Sequence, residues 1–371
     1  MPTSTQLNLT TKKAHFQNPL YLDSGRIIDP YDLVYETYGT LNKDKSNAIL
    51  VMHALTGSHH AAGIYEGDRK KGWWDLMIGS GKSIDTDRFF VICVNVIGSC
   101  YGSTGPASLM FDNTNFYRFK FPVVTIQDMI KAINILIASL QIKTFHAVIG
   151  GSMGGMQTLS YAVEYPRAAK LFIPISCTYK TSPMVIAVNK VMKEAILLDP
   201  EFKNGLYSMR DKPEFKGLQI ARMLGFTQYL TCNTMETKFG RNYVSNEGFY
   251  DMFGRFEIDR YLEYNGQNFT SYFDPLSYLY LLKALNIYDV SLHFDSLQSA
   301  LSNVQRKILL VCFSGDCMFT LKEHETLYLE LKRLQKDCEL KIIESTYGHD
   351  SFLVEVELYG HIIKEALERL D

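Results

Sequence analysis

Short apolar runs alternate with stretches of helical periodicity through the first half of the chain and again near its end. Residues 48–52, Ala-Ile-Leu-Val-Met, are apolar throughout, and 88–96, 145–149, 171–176 and 307–313 are largely so. Runs apolar on both sides of the pleat predict strands covered on both faces, as in a parallel sheet between helical layers. Residues 126–140, 157–165 and 322–334 repeat their apolar positions at helical spacing, 339–344 predicts the last strand, and 352–370 predicts one closing amphipathic helix. Nearer the start, 21–38 alternates, with Ile27, Ile28, Leu33 and Val34 among polar residues, which predicts two antiparallel edge strands.

From about 181 to 300 strand-like runs vanish, and helical patterns such as 184–198 and 218–230 follow one another in a sequence rich in Met, Tyr, Phe, Lys and Glu. A helical insertion over the carboxyl edge of the sheet is the simplest account. The expected class is therefore α/β, with a mostly parallel central sheet, helices on both faces and an inserted helical lid. The core falls in two parts, 1–180 and 301–371, with the lid at 181–300.

The run 145–149 leads into Gly150-Gly151-Ser152-Met153-Gly154-Gly155, and a helix follows until Pro166 stops it. Strand, tight turn and helix around Gly-x-Ser-x-Gly is the nucleophile-elbow pattern, in which a serine on a sharp turn lifts its hydroxyl above the sheet. Small residues two before and two after let strand and helix backbones pass closely. The helix N-terminus sets free amides and positive dipole where an oxyanion would form. Chain order makes the Met153 amide one donor and the backbone of Leu55, in the loop after 48–52, the other.

A serine hydroxyl becomes a nucleophile when an imidazole takes its proton, and the imidazole needs a carboxylate to hold its tautomer. In hydrolase-type α/β folds these partners follow in the order Ser, Asp or Glu, His, each after a strand. Asp316 in Ser314-Gly315-Asp316 and His349 in Tyr347-Gly348-His349-Asp350 meet both conditions. Asp350 also stands where it would cap the final helix.

Composition narrows the partners. The 371 residues carry a net charge of −2, with 46% hydrophobic and 21% charged residues, which suits a soluble globular protein without a polyanion footprint. No stretch reads as a membrane span, and the first residues lack the apolar core of a signal peptide, so a cytoplasmic location without membrane partner is expected. Seven cysteines without CxxC spacing read mostly as small core residues. His53, His59 and His60 match no zinc spacing and have no acidic or cysteine ligand beside them, so no metal is expected.

The chain resembles the homoserine O-acetyltransferase family, α/β-hydrolase-fold enzymes of methionine biosynthesis. The resemblance is carried by 35–42 (Tyr-Glu-Thr-Tyr-Gly-Thr-Leu-Asn), 53–57 (His-Ala-Leu-Thr-Gly), 72–75, 79–86, 102–106, 150–157, 238–241 (Lys-Phe-Gly-Arg), 273–274 and 277–280. It implies a ping-pong exchange in which Ser152 takes acetyl from acetyl-CoA, a co-substrate rather than a bound cofactor, and passes it to the γ-hydroxyl of L-homoserine. It further implies that Arg222, in Ala-Arg-Met-Leu-Gly, holds the substrate carboxylate, that Tyr229 lies near the same pocket, and that Asp350 meets the substrate ammonium. A homodimer joined through the lid is expected on the same ground, with Phe249, Tyr250, Phe253, Phe256, Tyr261 and Tyr264 as candidate contacts. The residues leave open a homoserine O-succinyltransferase or serine O-acyltransferase on the same scaffold, and a serine esterase or thioesterase in which water is the acceptor.

Overall fold

The central strands are apolar at nearly every position because both faces of this part of the sheet are covered. The computed structural model describes residues 9–67, 70–111, 115–209, 213–245 and 249–370; residues 1–8, part of the N-terminal stretch read for a signal peptide, lie outside these. Twelve strands form among the described residues. They are β1 (Lys12–Phe16), β2 (Leu20–Tyr21), β3 (Ile27–Ile28), β4 (Tyr31–Tyr38), β5 (Ala48–Met52), β6 (Ile78–Gly79), β7 (Ile84–Asp85), β8 (Phe90–Val94), β9 (Phe145–Gly151), β10 (Ala169–Ile175), β11 (Lys307–Phe313) and β12 (Cys338–Ile343). Eight build one sheet in the order β1-β4-β8-β5-β9-β10-β11-β12. From β8 to β12 every pairing is parallel, whereas β1 and β8 both run antiparallel to β4.

Helices α1 (Ile126–Ser139), α2 (Met153–Glu164), α3 (Pro183–Leu197), α4 (Lys216–Tyr229), α5 (Cys232–Phe239), α6 (Glu257–Thr270), α7 (Pro275–Asn286), α8 (Leu297–Ser302), α9 (Leu321–Arg333), α10 (Ser351–Val354) and α11 (Val356–Glu368) complete the chain. Alternate residues of each central strand feed two apolar layers. Leu50, Met52 and Val148 pack with α1 and α2 on one face, and Ile49, Val51 and Ile149 pack with Trp74, Phe352 and α11 on the other. Helix starts are set by local chemistry. Thr125 and Asp128 close a capping box on α1, Ser182 caps α3 ahead of Pro183, and Asp274 caps α7 ahead of Pro275.

Three sequence expectations are corrected here. The N-terminal antiparallel pair is not contained in 21–38: β4 takes its outer partner from β1, and 20–28 forms only the small β2–β3 hairpin. The closing helix is two helices, broken at Glu355, whose backbone leaves helical geometry (φ −109°, ψ 43°) where its carboxylate accepts from Ser345 Oγ at 2.5 Å. Asp350 precedes α10 but does not cap it with its side chain. Its backbone is already helical (φ −71°, ψ 0°), whereas a capping residue needs an extended one.

Between β10 and β11 the described chain is helical, with α3 to α8 in that interval and only isolated bridges besides. No described helix is long and apolar enough to cross a membrane. Cys93, Cys177, Cys312 and Cys338 are buried, Cys100 is half-buried, and Cys232 and Cys317 are exposed.

Candidate active site

The sheet delivers its reactive side chains at the carboxyl ends of parallel strands, where an open α/β sheet places its crevice. Ser152 follows β9 with φ 58° and ψ −124°, a backbone conformation that costs a non-glycine residue about 1–3 kcal/mol. Neighbouring bonds hold it there: its N–H donates to Ile175 O at 3.0 Å and its carbonyl accepts from Met156 N at 3.0 Å. The elbow depends on Gly154, where an added Cβ would lie 2.1 Å from the Met52 carbonyl oxygen.

His349, in the turn after β12, comes back to this point. Its Nε2 lies 2.8 Å from Ser152 Oγ, and its Nδ1 lies 2.8 Å from Asp316 Oδ2 after β11. The other oxygen of Asp316 accepts from the Met318 and Phe319 amides at 2.9 and 3.0 Å, which fixes the carboxylate plane. Rings of Phe319, Phe352 and Tyr229 surround the imidazole with centroids 5.1, 5.8 and 6.1 Å away. Burial alone would depress the His349 pKa, but the Asp316 carboxylate, through charge and hydrogen bond, and Asp350 outweigh it and leave it raised. This polarity suits a base that must accept a proton from Ser152 and hold it.

Among the described residues neither the Leu55 nor the Met153 amide donates to a loop or turn backbone acceptor. Leu55 lies in the loop after β5, and Met153 opens α2. A residue that sequence reasoning passed over joins the two. Gln157, fully buried, donates from Nε2 to the His53 carbonyl at 3.1 Å and to the Met153 carbonyl at 3.3 Å. Its sequence signals are its position one helical turn beyond Met153 and its place at the end of the 150–157 match to the family. His53 supports the same loop as a neutral imidazole, with Nδ1–H toward Ala54 O at 2.8 Å and Nε2 accepting from Val96 N at 3.0 Å. Burial pushes its pKa down to about 4.

The acid missing beside His59 and His60 in the sequence comes from β4. Fully buried Glu36 accepts from Tyr38 at 2.6 Å and from Tyr65, and lies 3.0 Å from His60 Nδ1 and 3.6 Å from His59 Nε2. Tyr38 Oη in turn accepts from the Ala61 amide at 2.7 Å, so this network anchors the far end of the loop bearing Leu55. Among the described residues no group of His, Cys, Asp and Glu is arranged to hold a metal ion.

Arg222 and Tyr229 lie on α4, with the Tyr229 ring next to the His349 imidazole. The Arg222 guanidinium carbon is 4.7, 4.9 and 5.7 Å from the ring centres of Phe226, Phe269 and Tyr229. Its charge acts on Asp350, whose carboxyl pKa is raised by burial against the opposing pull of His349 and Arg222. Among the described residues no ion pair joins Arg222 to Asp350, and each lies within the field of the other. Of the candidate contact aromatics in the helical insertion, Phe249, Tyr250, Phe253 and Tyr264 are exposed, and Phe256 and Tyr261 are half-buried.

The base loop is fastened to the insertion. Thr231, between α4 and α5, donates its amide to the Tyr347 carbonyl at 3.0 Å and its hydroxyl to Thr346 O. Thr234 Oγ1 donates to Thr346 O at 2.8 Å and approaches Tyr347 O at 3.2 Å. At Gly348 φ is +118°, and an added Cβ would lie 2.4 Å from Tyr229 O, so only glycine permits this approach.

A family model described as the alpha/beta hydrolase fold matches residues 47–356. Homoserine O-acetyltransferases of Sulfurimonas autotrophica and Nautilia profundicola are each 52% identical, covering 97% and 98% of this chain and 99% of their own lengths. A solved homoserine O-acetyltransferase from Bacillus anthracis superimposes with a TM-score of 0.90 at 30% identity, over 97% of this chain and 98% of that one. The solved esterase E22 superimposes at 0.88 and 29% identity, over 97% of this chain and all of that one. With an elbow serine, a histidine and an aspartate in hydrogen-bonded sequence, and relatives this similar along nearly its whole length, the chain belongs to the homoserine O-acetyltransferase family of the α/β-hydrolase fold.

Proposed function

We propose that this protein transfers an acetyl group from acetyl-CoA to the γ-hydroxyl of L-homoserine through an acyl-serine. The observation that carries the reading is the Ser152–His349–Asp316 alignment beside a separated cation and anion, Arg222 and Asp350. Ser152 Oγ attacks the thioester carbonyl while His349 Nε2 takes its proton, and the Leu55 and Met153 amides receive the oxyanion. The tetrahedral species collapses, the C–S bond breaks, and the imidazolium returns its proton to the departing thiolate. Homoserine then gives its hydroxyl proton to Nε2 and attacks the acyl-serine; the second tetrahedral species collapses with cleavage of the Ser152 Oγ–acyl bond, and the imidazolium returns its proton to Oγ, which restores Ser152 and neutral His349. The Arg222 fork suits the amino acid carboxylate, and Asp350 suits the ammonium. Tyr229 closes the side of the pocket next to the imidazole.

In this reading the helices of 181–300 act as the lid that keeps water from the acyl-serine, the exposed lid aromatics join two copies, and the protein works in the cytoplasm on a route to methionine. The reaction requires neither metal nor bound cofactor. Hydrolysis is the second reading, favoured by the likeness to esterase E22. Incubating the protein with acetyl-CoA or succinyl-CoA, each with homoserine, serine or no acceptor, and identifying products by mass separates the cases. O-acetylhomoserine from acetyl-CoA and homoserine is expected. CoA release indifferent to homoserine would establish the hydrolase, and O-succinylhomoserine or an O-acylserine would establish the other transferases.

A further inference from the structure

We propose that Trp74 is a positioning residue for acyl transfer: it fastens the short helix behind His349 to the loop that carries Leu55, and so fixes how the imidazole meets Ser152. The inference rests on the acyl-serine reading above. It gives a task to the Gly-Trp-Trp-Asp segment at 72–75, which supplies no group to the reaction itself. The bond that carries it runs from the Trp74 indole N–H to the Phe352 carbonyl at 3.0 Å.

That carbonyl needs a donor from elsewhere in the chain. Helix α10 ends at Val354 and the backbone leaves helical geometry at Glu355, so no intrahelical amide reaches back to residue 352. Among the described residues no loop or turn amide replaces it. The Trp74 indole and the Tyr359 hydroxyl, the latter at 2.5 Å, are its donors, and Trp74, Phe352 and Tyr359 are all buried. The Phe352 ring is a wedge between nucleophile and base. It lies against Gly151, where an added Cβ would fall 2.3 Å from its Cδ2, and its centre is 5.8 Å from that of the His349 imidazole. Gly151 immediately precedes Ser152. Fixing the Phe352 backbone therefore fixes the ring that separates the elbow from the imidazole.

Trp74 is itself bonded to the other loop. Its amide donates to Ala61 O at 2.8 Å, and the Trp73 indole, stacked on its ring with centres 5.2 Å apart, donates to Ser58 O at 2.8 Å. Gly72 N donates to Gly63 O at 2.7 Å, and Gly63 N donates to Asp75 Oδ1 at 2.8 Å. The whole of 72–75 is thus laced to 58–63, a few residues beyond Leu55. Removing the Trp74 N–H unties the base turn from this loop without touching Ser152, His349 or Asp316. A buried carbonyl that loses a donor shifts to regain one, and the Phe352 ring moves with it.

The test uses p-nitrophenyl acetate, which acylates Ser152 without CoA or homoserine, so that the burst of p-nitrophenol reads this step alone. Trp74→Phe and Tyr359→Phe each delete one donor to the Phe352 carbonyl, the second with hardly any change of shape. Ile363→Val trims the same apolar layer and leaves both donors in place. The acylation rate constant is expected to fall about three- to tenfold in each donor variant, the scale of one hydrogen bond, and further in the double variant. The ester concentration at half-saturation and the position of the acid limb should stay, because Asp316 and Asp350 still flank the imidazole. Ile363→Val is expected to melt lower and to acylate at the wild-type rate. A wild-type burst rate in the double variant, or in both single variants, overturns the proposal, and so does equal slowing in Ile363→Val. A normal wild-type burst without transfer to homoserine would overturn the acceptor assignment alone. No burst from the wild type would overturn the acyl-serine reading and this role together.

Discussion

The Gln157 carboxamide lies 3.1 Å from the His53 carbonyl and ties together two backbone segments just beyond the Met52–Gly150 pairing of β5 with β9. One carries Leu55 and the other begins at Met153, so this side chain adds to the strand pairing in setting the spacing of the proposed oxyanion donors. Gln157→Leu keeps the bulk and removes the bond. Acyl-enzyme formation, followed as a burst of thiol release, is expected to slow about tenfold, the scale of a misplaced oxyanion donor, while the fold persists. An unaltered burst rate would show that the two segments hold their spacing without it.

Asp350 raises the His349 pKa, together with Asp316 and against burial. The free base is the active form, so kcat/KM for the acyl donor should fall as pH drops through a value above the ordinary histidine pKa of 6.5. Asp350→Asn removes one of the anions that favour the imidazolium, and the acid limb should move to lower pH. A shift upward, or none, in the pH profile of donor cleavage would contradict the assigned electrostatics.

Thr234 bonds the helical insertion to the carbonyls of the turn that carries His349. Thr234→Val preserves shape without the hydroxyl, and Thr234→Ser preserves the hydroxyl. Acetyl transfer should fall about fivefold in the valine variant, in line with one lost hydrogen bond, and return in the serine variant. Equal loss in both would point to packing by the methyl group instead.

Glu36 is a buried carboxylate whose pKa is pushed up by burial but brought below the ordinary glutamate value of 4.5 by hydrogen bonds from His60, Tyr38 and Tyr65. A depressed folded pKa adds stability that is present above the unfolded value and is lost as pH falls through the folded one. Melting temperature in wild type should therefore decline on acidification below about pH 5, and part of that decline should be missing in Glu36→Gln. Identical acid limbs in the two proteins would rule this carboxylate out as a source of acid sensitivity.

Ser152, Asp316 and His349 were legible because each is tied to a strand end, and strand ends show in the apolar pattern. Chain order then decides which side chains meet. The supporting residues were not legible for a different reason: Gln157 and Thr234 act on backbone carbonyls, which have no identity in a sequence, and Glu36 meets His59 and His60 only because β4 passes behind their loop. β1 escaped because Lys-Lys-Ala-His-Phe has only Ala14 and Phe16 as apolar residues on its inward face, both half-buried against the core, beside a run of basic residues, and its place is fixed largely by pairing with β4. The break at Glu355 depends on a bond to Ser345 ten residues earlier, which helical periodicity cannot register.

The clasp between Thr231, Thr234 and the turn carrying the imidazole bears on how far this catalyst could be pared down. A shortened chain in which a brief linker replaces the helices between β10 and β11 would retain the elbow and both acidic and basic partners in its sequence. It would lose the outer wall against which residue 349 is oriented, so miniaturising the enzyme by trimming to the sheet would yield a folded scaffold with a misaimed proton acceptor.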